Sequence, residues 1–330
     1  MEQSQETQKQ GKEQKIIEPE KRKGAEVIDL DQKRQEMRER KIQKEYAPIF
    51  EFRKKIYARD IAQNQAREVM LSNLETHNKI VLDDAINLIE SEKLSPEDRV
   101  ATIIAIIMHD SGKLSSDILS HHEKGIEYVD EMFGKMEKTE PEFEGIRLTD
   151  EIRQKIIWAI ERHMNHPYLV GRNGGEKFPE PENSVDKVVF DADMLANIGF
   201  KNIGFRLASE DYLREDKQKA IESRTNSIEE TFKNVMQDVV KLDGIVLSFS
   251  AKKVAKERIE DAKRIFDYLK ENKIFKNILE KVSNISEKLE KDRKMEDSSV
   301  ILTKNLLNEE ISKAGMALGI DDKTLDKLKM

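Results

Sequence analysis

The sequence predicts an all-α protein, a helical core with further charged helices on its C-terminal side. Three observations carry this. Gly and Pro number only 14 and 7 in 330 residues, while Lys, Glu, Ile, Leu and Ala dominate, which favours helices. Apolar residues recur at helical spacing over most of the chain, and no segment alternates in the strand fashion. The charged and the hydrophobic residues each make up 37%, too polar a balance for a single compact globule, so a folded core with charged appendages is expected.

Residues 1–45 are rich in Lys, Glu, Gln and Arg and read as a disordered or loosely helical charged arm. A core domain is expected over 46–206. Its first helix is IFEFRKKIYARDIAQNQAREVML and its second ETHNKIVLDDAINLIESEK. The third, SPEDRVATIIAIIMHD, has strong start signals. Ser95 can cap it, Pro96 fits the first turn, and Glu97 and Asp98 suit the helix dipole. It is apolar nearly all round, so it belongs at the centre. HHEKGIEYVDEMFGKM makes a fourth helix, and LTDEIRQKIIWAIERHMNH a fifth capped by Thr149 or Asp150. PYLVGRNGGEKFPEPENS reads as a loop, and SVDKVVFDADMLANIG as the sixth helix.

Residues 207–330 form a charged helical extension. Ile259, Ala262, Phe266 and Leu269 mark one stripe, and Ile278, Val282, Ile285 and Leu289 continue a similar one. A hairpin or short coiled coil is expected, packed on the core or joining copies of the chain as a homo-oligomer.

Several function classes fall away. There is no cysteine, which excludes disulfides, thiolate nucleophiles and Cys-ligated zinc. The polar MEQSQETQKQGKEQK start reads as neither signal peptide nor anchor, and VATIIAIIM is too short to span a bilayer. No membrane partner is expected, and the localisation expected is cytoplasmic. The net charge of −7 argues against nucleic acid as a partner of the whole surface.

The six histidines, 77, 109, 121, 122, 163 and 166, all lie in one segment spread over several helices. Histidines without a shared purpose would scatter. His77 lies one turn before Val81 and two before Ala85, on the apolar stripe. His163 follows Ile156, Ala159 and Ile160 at helical spacing, and His109 and Asp110 end the most apolar helix. Polar groups buried there without partners would cost about 1–3 kcal/mol each. A divalent cation is a good partner for both imidazole lone pairs and carboxylates. VVFDADML supplies two further carboxylates, Asp191 and Asp193, which periodicity alone does not separate.

The ordered set His77, His109-Asp110, His121, His163 and Asp193 resembles the HD-domain superfamily of metal-dependent phosphohydrolases, with its H…HD…D pattern and two intervening histidines. AIIMHDSGK is similar to the family's HD-x-GK segment, HHEKG to its H-x-x-x-G helix start, AIERH to its fifth-helix histidine and DADMLANIG to its DADRLDxxG stretch. The resemblance covers about 70–205, selects His121 over His122, and favours Asp193 as a ligand with Asp191 as the alternative. Met194 and Asn197 stand where the family stretch often has Arg and Asp, which bears on specificity rather than on the metal.

The resemblance implies an HD-type helical bundle around one or two divalent ions, with Mn, Fe, Mg, Co, Ni and Zn all compatible with the ligands. His77, His109, Asp110, His121, His163 and Asp193 would be the ligands. Metal-activated water would attack a nucleotide or other small phosphate ester. Asp110 would bridge metals or orient the water, and Lys113 would approach a phosphate or simply close the helix end. His122, Arg162, His166 and Arg172 are second-tier substrate contacts, and the GRNGG loop could cradle phosphate or form only a turn. Two other functions fit the same residues: a di-iron oxygenase or lyase, and a non-catalytic binding or regulatory module.

Overall fold

The computed structural model describes residues 20–64, 68–136, 141–200, 221–277, 280–281 and 295–329. The chain divides into two compact units, residues 1–45 and 46–330. The first contains helix α1, Glu20–Glu45, one continuous helix through the described part of the charged arm.

The second unit opens with α2, Ala47–Asn64, followed by α3, Glu68–Ser91. The helices expected from sequence to end at Leu71 and to begin at Glu75 are continuous across that interval, within α3. Its buried stripe explains this. Leu74, Asn78, Val81, Ala85 and Leu88 run as one face, and nothing at Glu75 interrupts it.

Helix α4, Pro96–Met108, starts as its sequence dictates. Ser95 accepts the Asp98 amide at 3.1 Å, and Pro96 takes the first turn. Every residue from Val100 to Met108 is buried, and α4 packs on α3, on α6 (Asp150–Arg162) and on α8 (Ser184–Ala196). His109 caps its end, Asp110 leaves helical geometry at φ −102° and ψ 8°, and a 3₁₀ turn follows over Ser111–Leu114. Helix α5 spans His121–Met136.

A two-residue hairpin, β1 Glu142–Phe143 and β2 Ile146–Arg147, comes next. No strand was expected, because two residues are too few to show alternation. Thr149 caps α6 by accepting the Ile152 amide. Helix α7, Pro167–Arg172, stands where a loop was expected. Pro167 serves as its first helical residue, where a missing N–H is harmless. His166 caps this turn. Helix α8 begins with a capping box between Asn183 and Asp186.

The C-terminal extension continues with α9, Ile221–Lys241, and α10, Phe249–Glu271, packed together as a hairpin. Ile259, Ala262 and Leu269 are buried as expected, with Ile265 more buried than Phe266. The expected stripe Ile278, Val282, Ile285 and Leu289 lies outside the described residues. Helix α11, Met295–Ala317, packs on α10, and α12, Asp322–Leu328, closes on the end of α8, where the Phe200 amide donates to the Leu328 carbonyl at 2.8 Å.

A buried ionic tie fastens this extension to the core. Arg258 of α10 donates to Asp84 of α3 at 2.7 Å and to the Leu195 carbonyl of α8 at 3.0 Å. Lys327 of α12 donates to Asp84 at 2.5 Å and pairs with Asp83. Burial pushes the Asp84 carboxyl up, but Arg258 and Lys327 outweigh it and hold its pKa at about 2. Among the described residues no helix is long and apolar enough to cross a membrane.

Candidate metal centre

Five elements deliver six side chains to one buried pocket. His77 comes from α3, His109 and Asp110 from the end of α4, His121 from the first residue of α5, His163 from the cap of α6 and Asp193 from α8. All are buried. Gly112 makes the approach possible. A Cβ there would meet the His121 carbonyl at 2.2 Å, whereas one on Gly125 would make only ordinary contact, 3.5 Å from the His109 carbonyl. The start of α5 thus lies directly on the end of α4. This is the steric reason for glycine in HDSGK.

The backbone orients three of the rings. His109, His121 and His163 each place Nδ1 on the carbonyl three residues earlier, Ile106, Ile118 and Ile160, at 2.8, 2.6 and 2.6 Å. A carbonyl only accepts, so each Nδ1 carries a proton and donates it. Burial lowers the pKa of His109 to about 4 and lowers that of His121, so these rings stay neutral. Each Nε2 then turns a lone pair inward, the arrangement that metal-binding imidazoles use.

These inward atoms fall into two groups, His77, His109 and Asp193, and Asp110, His121 and His163, each with its ligand atoms within 4.8 Å of one another. Asp110 spans both. Its Oδ2 lies 3.5 Å from His77 Nε2 and 3.4 Å from His109 Nε2, while its Oδ1 lies 3.3 Å from His121 Nε2 and 3.7 Å from His163 Nε2. Asp193 Oδ1 lies 2.9 Å from His77 Nε2. Burial raises both carboxyl pKa values, but the surrounding histidines, with Lys113 for Asp110, outweigh it and hold both groups ionised.

The donor set fits a divalent cation. His121 Nε2 and His163 Nε2 face each other at 3.3 Å, two lone pairs with no proton between them. His77 Nε2 has the Asp193 carboxylate at 2.9 Å, but His109 Nε2 and Asp110 Oδ1 are buried with no hydrogen-bond partner among the described residues. Such atoms are costly unless something satisfies them, and a cation satisfies lone pairs and carboxylates together. Both groups could hold an ion through nitrogen and oxygen.

The structure also separates the two α8 carboxylates. Asp193 faces the pocket, whereas Asp191 accepts the amides of Leu247 and Ser248 at 2.7 and 2.8 Å, just before α10. Burial raises the Asp191 pKa against those bonds.

The second-tier residues are placed unequally. Lys113, 31% exposed at its side chain, reaches Asp110 Oδ2 at 2.6 Å. His122 packs edge-on against Phe178, and its Nδ1 has no partner among the described residues. His166 is buried at the cap of α7. Arg162 is committed to Asp186 at 2.7 Å and Glu182 at 3.1 Å, and Arg172 to Tyr168 at 2.9 Å. The GRNGG loop closes α7 as a turn. The amides of Asn173 and Gly175 go to Leu169 and Val170, and that of Glu176 to Asn173.

Sequence reasoning missed Tyr57. Its phenol accepts from Asn78 at 3.2 Å, and burial with the nearby Asp110 charge pushes its pKa up to about 12. No motif marks it, and only the packing of α2 brings it there.

The family model of the HD domain matches residues 52–198, a span that contains all six pocket residues. This part of the chain belongs to the HD-domain superfamily. Neither the curated proteins nor the solved structures show a match to the chain. HD domains are mostly metal-dependent hydrolases, and the orphaned lone pairs of this HD domain accord with metal binding.

Proposed function

We propose that this HD domain is a metal-dependent phosphohydrolase that holds two divalent ions and cleaves a nucleotide or another small phosphate ester. The observation that carries the reading is the position of Asp110. Its Oδ2 faces His77 and His109, and its Oδ1 faces His121 and His163, whose Nε2 atoms stand opposed at 3.3 Å. A carboxylate so placed suits a bridge between two ions. His77, His109 and Asp193 would hold one ion, and His121 and His163 the other.

Bound ions would polarise the phosphoryl oxygens and lower the pKa of a water near phosphorus. The protein's own part is positioning. The carbonyls of Ile106, Ile118 and Ile160 hold three rings in one tautomer before substrate arrives. Lys113 keeps a cation at the pocket's exposed side, where it can exchange its bond to Asp110 for a phosphate oxygen. Burial of the pocket strengthens each of these electrostatic contacts.

The test is metal content and phosphate release, measured together on protein purified without chelator. Wild type should carry about two equivalents of a divalent metal per chain and release phosphate from some nucleotide in a screen. Asp110→Ala should lose both. Iron as the dominant metal, with oxygen consumed and no phosphate released, would make this an oxygenase or lyase instead. A metal-free wild type, even after added Mn, would refute the reading.

A further inference from the structure

His166 is held in the opposite sense from the histidines of the metal centre. His109, His121 and His163 donate from Nδ1 to a carbonyl, which leaves Nε2 an acceptor. At His166 the bond is reversed. The Tyr168 amide donates to His166 Nδ1 at 3.1 Å, because His166 caps α7 with its ring. A backbone N–H is always a donor, so Nδ1 there bears no proton, and the neutral ring must carry its proton on Nε2.

That Nε2–H is buried and has no hydrogen-bond partner among the described residues. Asp193, Lys113 and His77 all lie close enough to act on the ring electrostatically, together with Asp238 of α9. The donor therefore lies within electrostatic reach of the residues of the metal centre. A cation cannot satisfy it, because it already carries hydrogen. It needs an acceptor, and it makes no hydrogen bond to either carboxylate of the centre, Asp110, which takes Lys113, or Asp193, which takes Asn197.

We propose that His166 donates its Nε2–H to a phosphoryl oxygen of the substrate at the metal centre, an assignment that rests on the phosphohydrolase reading above. One residue type thus plays two parts in one pocket, divided by the local backbone. His109 and His163 at helix C-termini, and His121 at the first residue of α5, turn back onto the carbonyl three residues earlier and present lone pairs. His166, the N-cap of α7, accepts an amide and presents a proton. Burial lowers the His166 pKa to about 4, so the ring remains a neutral single donor near pH 7. It would orient a phosphate oxygen without adding charge, unlike Lys113.

The test is ring nitrogen NMR on the full chain, labelled with ¹⁵N-histidine, loaded with Zn(II) and titrated with inorganic phosphate. Two variants accompany it. His166→Asn keeps the cap acceptor but is too short to reach, and His166→Gln restores a donor at greater reach. The expected result is an Nε2–H ring at His166 and an Nδ1–H ring at His109, His121 and His163, with phosphate shifting the His166 signal. His166→Asn should bind phosphate about tenfold more weakly or worse, with metal content unchanged, and His166→Gln should recover part of the loss.

An Nδ1–H ring at His166 would overturn the proposal. So would phosphate shifting the other rings while His166 stays still, which would leave His166 a partner for water only. If phosphate moved no ring and bound nowhere, the phosphohydrolase reading itself would fall and this assignment with it.

Discussion

Helix α3 carries His77 into one buried charged cluster and Asp84, two turns on, into another. Both clusters also draw on α8, through Asp193 in the first and the Leu195 carbonyl in the second. The Asp84 cluster is complete. Its carboxylate takes bonds from Arg258 and Lys327, and cation and anion cancel within the protein. The His77 cluster is left open, with lone pairs facing one another and, among the described residues, no cation except Lys113 at its edge. A buried polar network that closes on itself is a fastening. One that stops short by a positive charge is prepared for something from outside.

The largest effect should come from breaking the closed cluster. Arg258→Met leaves Asp84 buried with Lys327 alone, and unfolding in denaturant should show a loss of about 3–5 kcal/mol. Adding Asp84→Leu should return much of that, since removing both partners of a buried pair costs far less than removing one. A negligible loss from Arg258→Met would erase the contrast between the two clusters.

The open cluster should behave in the reverse way. Metal-free His163→Ala should be nearly as stable as metal-free wild type, because it removes one of two opposed lone pairs. Added metal at about one hundred times its dissociation constant should stabilise wild type by about 3 kcal/mol and the variant by far less, read as the shift in thermal midpoint. Equal shifts in both would mean that the ion sits elsewhere.

The smallest effect concerns the other α8 carboxylate, Asp191. Asp191→Asn retains one acceptor for the Leu247 and Ser248 amides, so a loss of about 1 kcal/mol is expected with metal content unchanged. Loss of metal in this variant would move Asp191 into the pocket.

That these histidines and aspartates share one pocket was legible in sequence because they sit in local contexts that carry signals of their own. His109 and Asp110 end an apolar run, His121 opens a helix, and Gly112 marks the close approach. Periodicity could not separate Asp191 from Asp193, and only the resemblance favoured Asp193, because the choice depends on where α10 begins against α8, more than fifty residues away. The fastening was invisible for the same reason. Arg258 lies 174 residues beyond Asp84, and Lys327 lies 243 beyond it. Helix α7 was missed because proline ends helices more often than it starts them, and here His166 supplies the cap.

Gly112 carries a consequence for how this sequence can vary. A library of all substitutions, selected for folded protein, should come back empty at Gly112, where a single added carbon strikes the His121 carbonyl backbone. Gly134 has nothing within 4 Å of an added Cβ and should accept many residues. Two glycines only 22 positions apart would then mark the extremes of mutational tolerance. The intolerant one would be silent about chemistry, yet it would map where two helices must touch before any ligand can bind.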